Sequence, residues 1–166
     1  MGSGDDALTA HFDPDEIHLE KFDAFFKAVK ASAKVVCRVG VLDKDERKGG
    51  GSNAEIAAAH EYGAPARGLP QRSFLRVPIS NNLNKALETE RAFSDKELKQ
   101  VVKEKSVKPW LEKVGKVAEK VVMDAFDSGG DGKWPPVKHP ERKHNAQILV
   151  ETTQLRQSIT SDVKDA

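Results

Sequence analysis

A single α+β domain is the fold class this sequence predicts, on three observations. Apolar residues recur at helical spacing in two stretches, one through Ile79, Leu83, Ala86, Leu87 and Phe93, the other through Trp110, Leu111, Val114, Val117, Ala118, Val121, Val122 and Ala125. The run from Lys34 to Leu42 switches to β-branched residues with partial alternation, the mark of a strand. A length of 166 residues encloses one core and is short for two.

Residues 1–14 carry Gly, Ser, Asp and one proline without periodicity, and read as a flexible arm that partners would order; the domain proper then spans 15–166. After Pro14, Leu19, Phe22, Phe25, Phe26 and Val29 form one helical stripe whose default use is core packing. Residues 43–51 are charged and then triply glycine, a flexible loop. Ser52 and Glu55 have capping-box spacing, so a helix over Asn53–Tyr62, stopped at Gly63, is expected. Pro65, Gly68, Pro70 and Pro78 forbid a long helix and predict an ordered extended loop, with Phe74 and Leu75 as its anchors. The first long helix starts beyond Pro78. Asp95–Lys105 is a helix end or a connector, and Pro109 suits the first turn of the second long helix, which Ser128–Gly132 ends. Residues 128–147 form an irregular loop, and Leu155 and Ile159, four apart after Thr152 and Thr153, fit a short threonine-capped helix.

Composition excludes several function classes. Hydrophobic residues are 38% and charged residues 32%, which predicts a modest core under a polar surface. The 27 basic and 26 acidic residues nearly cancel, against a protein whose main work is coating nucleic acid. The one cysteine, Cys37, sits in an apolar run and reads as a small buried hydrophobe in a reducing cytosol. No stretch is apolar over the ~20 residues that span a bilayer, and the acidic start does not resemble a signal peptide, so no membrane contact is expected.

No catalytic, cofactor-binding or metal-binding residues are assigned, and a non-enzymatic protein is expected. The histidines at 11, 18, 60, 139 and 144 lack zinc-site spacing. The glycines before Ser52 lack the Lys-Ser or Lys-Thr pair of a phosphate loop, and no serine lies in a Gly-x-Ser-x-Gly elbow. His60 beside Glu61 is a conceivable acid-base pair, with a structural role as the alternative. Lys138, Arg142 and Lys143 are candidate contacts to DNA or an acidic partner, or simply a solvated loop; a nucleic-acid-binding module using residues 138–144 is the alternative function. Trp134, beside two prolines, fits core packing or a subunit contact equally well.

The stretch His60-Glu-Tyr-Gly-Ala-Pro-Ala-Arg-Gly-Leu-Pro-Gln-Arg-Ser-Phe-Leu-Arg76 resembles a phage pattern of His-Glu-Phe-Gly, a spacer, then Ile-Pro-x-Arg-x-Phe-Leu-Arg. The preceding Val39-Gly-Val-Leu42 and Asn53-Ala-Glu-Ile-Ala-Ala-Ala59 keep that family's order, Trp134-Pro-Pro-Val137 is similar to its Trp-x-Pro-Leu, and Leu149-Val-Glu-Thr-Thr-Gln-Leu-Arg-Gln-Ser-Ile159 to its Leu-Ile-Asp-Thr-Gly-Gln-Leu-Arg-x-Ser-Ile. Glu151 and Thr153 depart from the usual Asp and Gly. The family is the tailed-phage virion-morphogenesis proteins of the neck or tail-completion (minor tail) type. The resemblance implies a small, mostly antiparallel sheet packed by two or three amphipathic helices, with long ordered loops. It also implies a structural virion protein that forms a ring, a hexamer by tail symmetry, at the head-tail junction or the top of the tail. Its implied partners are itself and the neighbouring neck, adaptor, terminator or tail-tube proteins, with contact to DNA in the channel, in the virion and, during assembly, in the host cytoplasm.

The residues of the signature suit such work. Pro65 and Pro70 stiffen the loop after Gly63, so it loses less entropy when a neighbour docks. Arg72 and Arg76 flank Phe74 and Leu75, an aromatic anchor with guanidinium groups as at binding hot spots; the alternative is that Phe74 and Leu75 tuck the loop onto their own core. Candidate interface residues are therefore Tyr62, Gly63, Pro65, Pro70, Arg72, Phe74, Leu75, Arg76 and Trp134.

Overall fold

The computed structural model describes residues 19–42, 52–136 and 153–165. In chain order the elements are α1 (Leu19–Ala31), β1 (Val35–Val41), α2 (Asn53–Tyr62), a 3-10 turn (Pro65–Arg67), α3 (Arg76–Thr89), α4 (Asp95–Glu104), α5 (Lys108–Ser128), α6 (Thr153–Gln157) and β2 (Ile159–Asp165). The expected arm 1–14, the loop 43–51 and the basic cluster 138–144 lie outside the described residues.

The strongest helical periodicity becomes α5, the spine of the domain. One face of it buries Val117, Ala118, Val121, Val122, Ala125 and Phe126. Along that face it packs against α3, α4 and both strands. Pro109 lies in its first turn, where the missing N–H has no helical partner to lose, and Gly129 ends it in the left-handed region. The antiparallel sheet is two-stranded, with Val35 opposite Asp165 and Val41 opposite Ile159. The α+β class therefore holds, as a single small domain with six α-helices and one two-stranded antiparallel sheet among the described residues.

Several local expectations change. The helix expected through Leu155 and Ile159 stops at Gln157, and Ile159 opens β2, where it pairs with Val41 of β1. On α1, Phe26 and Val29 are 52% and 40% exposed, while Ala28 is buried and Phe25 half-buried against α4 and the start of α5. The face in use thus centres on Ala28, whose small side chain permits close approach. Helix α3 begins at Arg76, ahead of Pro78, because a proline in the first turn removes an N–H that would have no intrahelical acceptor. Phe93 lies beyond α3 and stacks on Trp110 at 5.6 Å. The charged stretch after Ser94 is a complete helix, α4.

Gly115 fixes how close α5 comes to the sheet. A Cβ there would stand 2.7 Å from Ser161 Oγ, 2.9 Å from Ser161 Cβ and 3.1 Å from Cys37 Sγ. Cys37 is half-buried at this contact, and its thiol pKa is raised by burial and by the negative charges of Asp162 and Glu119, so it packs as a protonated side chain. Across the outer face Arg38 Nε donates to Asp162 Oδ1 at 2.8 Å, pairing residues that are opposite in register.

Substituting Gly115→Ala is expected to lower stability by about 1–3 kcal/mol through overpacking, although alanine is the better helix former. Urea denaturation checks this; an unchanged or raised midpoint would mean that the helix-sheet spacing is not set by Gly115.

Candidate functional site

The signature loop folds around a carboxylate. Glu61, in the last turn of α2, is 5% exposed and its two oxygens face the start of α3. Oε2 accepts from the backbone N–H groups of Phe74 and Leu75, each at 3.0 Å, and Oε1 from that of Arg76 at 3.1 Å and from the Ser73 hydroxyl. The Ser73 oxygen in turn accepts from Val77 N–H at 3.1 Å. The first N–H groups of a helix have no internal acceptors and carry its positive end, so an anion fits there. Here the anion comes from another helix. Arg76, 59% exposed in its side chain, adds a looser pairing at 3.8 Å between its Nε and Oε1.

The backbone closes the same junction. Arg72 N–H donates to His60 O at 2.8 Å, and the Gln71 side-chain amide to Glu61 O at 3.0 Å. Between these contacts the loop pinches itself shut, with Ala64 and Leu69 exchanging hydrogen bonds at 2.9 and 3.1 Å across the 3-10 turn. Gly63 ends α2 with a φ of +77°.

Three signature residues turn inward. Phe74 is 1% exposed and meets the Phe126 ring at 5.1 Å, in a core shared with Val122, Leu155 and Ile159. Arg72 is 6% exposed and donates from Nε to Pro135 O at 3.0 Å and from Nη2 to Pro136 O at 3.1 Å. Burial lowers its guanidinium pKa, and the two carbonyls satisfy the donors that burial would strand. Trp134 packs edge-on against Phe126 at 6.0 Å and donates from Nε1 to Ser73 O at 3.3 Å. Gly130 makes room for that ring, since a Cβ there would lie 2.2 Å from Trp134 Nε1.

The expected surface anchor is therefore corrected. Phe74 and Arg72 are buried within their own chain, because Glu61 pulls residues 73–76 inward, and Trp134 also packs at home. Leu75 and Pro70 are half-buried. What remains outside is Tyr62, 68% exposed, with Pro65, Ala66, Arg67 and Gly68 at the loop tip, and Arg76. Lys138, Arg142 and Lys143 lie outside the described residues. The acid-base pairing of His60 with Glu61 loses its carboxylate, whose oxygens are occupied by the α3 backbone. Sequence reasoning missed Glu61, Ser73 and Gln71 as a structural unit; the available signal was that Glu61 and Ser73 both lie inside the signature. No group of histidine, cysteine, aspartate and glutamate suited to a metal ion occurs among the described residues.

Compared with known proteins, the chain matches no family model, no curated protein and no solved structure.

Glu61→Ala is expected to cost about 3–5 kcal/mol, since it strands buried donors that had a charged acceptor. Phe74→Ala should cost a similar 3–5 kcal/mol as a core cavity. Denaturant titration measures both; a loss under 1 kcal/mol for either would show that the junction does not support the fold.

Proposed function

We propose that this chain is a structural virion protein of tailed-phage type, a ring-forming subunit of the neck or tail-completion class that assembles with itself and with adjoining neck or tail proteins. One observation carries the reading. The sequence elements behind the resemblance, far apart along the chain, interlock at a single junction. Glu61 of the first element binds the backbone of residues 74–76, Arg72 reaches Pro135 and Pro136 of the Trp-Pro-Pro element, and Leu155 and Ile159 of the last element share the core with Phe74. Chance matches to separate fragments of a pattern would have no reason to meet. Their meeting supports treating them as one inherited unit.

The surface suited to assembly is then the loop tip from Tyr62 to Gly68. It is held by its own hydrogen bonds and by the Glu61 junction, so docking orders little further chain. Tyr62 offers an exposed aromatic and Arg67 a guanidinium, the residue types that dominate hot spots. A stiff protruding loop fitting a different surface on the next subunit is the head-to-tail contact that closes a ring.

Native mass spectrometry of the full chain, alone and mixed with portal-adaptor and tail-tube proteins of a tailed phage, tests this. A closed ring or a defined complex is expected, and Tyr62→Asp should weaken it at least about tenfold while shifting stability by less than about 0.5 kcal/mol. A persistent monomer that ignores both partners would overturn the reading, and steeply salt-dependent DNA binding by that monomer would favour the nucleic-acid module instead.

A further inference from the structure

The two ends of the α3–α5 layer carry different exposed surfaces. Phe74, ahead of α3, meets Phe126 near the end of α5, and at the far end Ala92, just past α3, accepts from Trp110 Nε1 at 2.8 Å near the start of α5. The two helices therefore run antiparallel, and the 14 residues of α3 set about 21 Å between the ends. The loop tip stands at the first end. At the second, Phe93 stacks on Trp110 at 5.6 Å and is still 57% exposed, and Leu98 in the first turn of α4 is 39% exposed. The turn that presents Phe93 closes α3 with bonds from Arg91 N–H to Glu88 O and from Ala92 N–H to Leu87 O, and it holds Arg91 at a φ of +50°, where glycine is usual. An arginine thus keeps that position at a conformational cost, beside an exposed ring braced by a fixed tryptophan, the residue types of a binding hot spot.

We propose that the Phe93–Trp110 surface of one copy receives the loop tip of the next, Tyr62 to Gly68, and so forms the other half of the head-to-tail contact; this pairing rests on the ring reading above. A surface and its complement at opposite ends of one domain are each used once per subunit, as a ring requires and a two-fold dimer does not. Charge favours this occupant. Over residues 88–98 and 108–113, Glu90, Glu97, Lys108 and Lys113 are held in ion pairs. Glu88, Asp95 and Glu112, against Arg91 and Lys96, make none among the described residues, so carboxylate is in excess at this end. The tip brings Arg67, and no acidic residue occurs from Tyr62 to Leu75. A guanidinium also lies well over an exposed aromatic face, and Tyr62 and Pro65 supply flat, stiff surfaces for the same pair of rings. Both sides are held before they meet, the tip by its Ala64–Leu69 hydrogen bonds and Trp110 by its bond to Ala92 O, so docking orders little further chain.

The test starts from the ring of the unaltered full chain, seen by native mass spectrometry, and then places benzoylphenylalanine at position 62 in place of Tyr62. After illumination, cross-links are expected between isotopically heavy and light chains, mapping to residues 91–98 and 108–113. Phe93→Asp should reduce their yield at least about tenfold. Mixing shows that the variant still folds: Phe93→Asp keeps its tip and Tyr62→Asp keeps its aromatic surface, so each alone stays monomeric, and an equal mixture gives a heterodimer that grows no further. Cross-links that map elsewhere on the ring, a ring undiminished by Phe93→Asp, or a mixture without the heterodimer would overturn this pairing and leave the assembly reading standing. An unaltered chain that stays monomeric would overturn both.

Discussion

A buried carboxylate is costly unless its oxygens are satisfied, and Glu61 is satisfied almost entirely by backbone. That circumstance organises the domain. Backbone N–H groups cannot be moved without moving the chain, so the Glu61 side chain fixes the end of α2 relative to the start of α3 as one rigid corner. The polypeptide between them, residues 63–72, is then short enough to be held by Ala64–Leu69 pairing and by the Arg72–His60 bond. The loop's prolines reduce the entropy this ordering costs, but the geometry belongs to the carboxylate.

Once residues 73–76 are held inward, Phe74 has one place to go, against Phe126 on α5. The consequences spread through contact. Leu155 and Ile159 pack on the same pair, which brings α6 and the start of β2 to the core and sets β2 beside β1. Trp134 closes the other side, with its indole N–H spent on Ser73 O and the adjoining proline carbonyls spent on Arg72. A buried arginine and a buried glutamate, only 11 residues apart in sequence (61 and 72), are thus never paired with each other. Arg72 is answered by two carbonyls and Glu61 by three backbone N–H groups with the Ser73 hydroxyl added, and the main-chain partners give fixed directions that flexible side chains would not.

What the sequence made legible follows from which interactions are local. The α2 boundaries were readable because Ser52 and Glu55 satisfy each other within one turn, and both bonds are present at 3.0 and 3.1 Å. The buried face of α5 was readable because a period of 3.6 is written into consecutive residues. The inward turn of Phe74 was not, since it depends on a carboxylate 13 residues earlier acting on backbone, which leaves no compositional trace. Likewise β2 was hidden: Leu155 and Ile159 have helical spacing, and only pairing with β1, more than a hundred residues away, converts Ile159 into a strand residue. The outward turn of Phe26 and Val29 shows the same limit, because a stripe of apolar residues does not say which part of it a neighbouring helix will cover.

The division between inward and outward residues bears on how such a motif can serve assembly. Within the signature, Glu61, Arg72, Ser73 and Phe74 build the corner and face the core, and their chemistry is exhausted there. Tyr62 and Arg67 are placed by that corner with exposed side chains, and Arg76 gives the corner its backbone N–H and a loose pairing while its side chain stays mostly in solvent. A corner of this kind is a mount: it holds a loop tip at a set height and angle while leaving the identity of the tip free. On the proposed reading, the motif accounts for a common way of presenting a loop, and the particular partner is decided by the few exposed side chains it carries. Folding then depends on Phe74 and its buried neighbours, and assembly, on that reading, on Tyr62 and the loop tip it shares with Arg67.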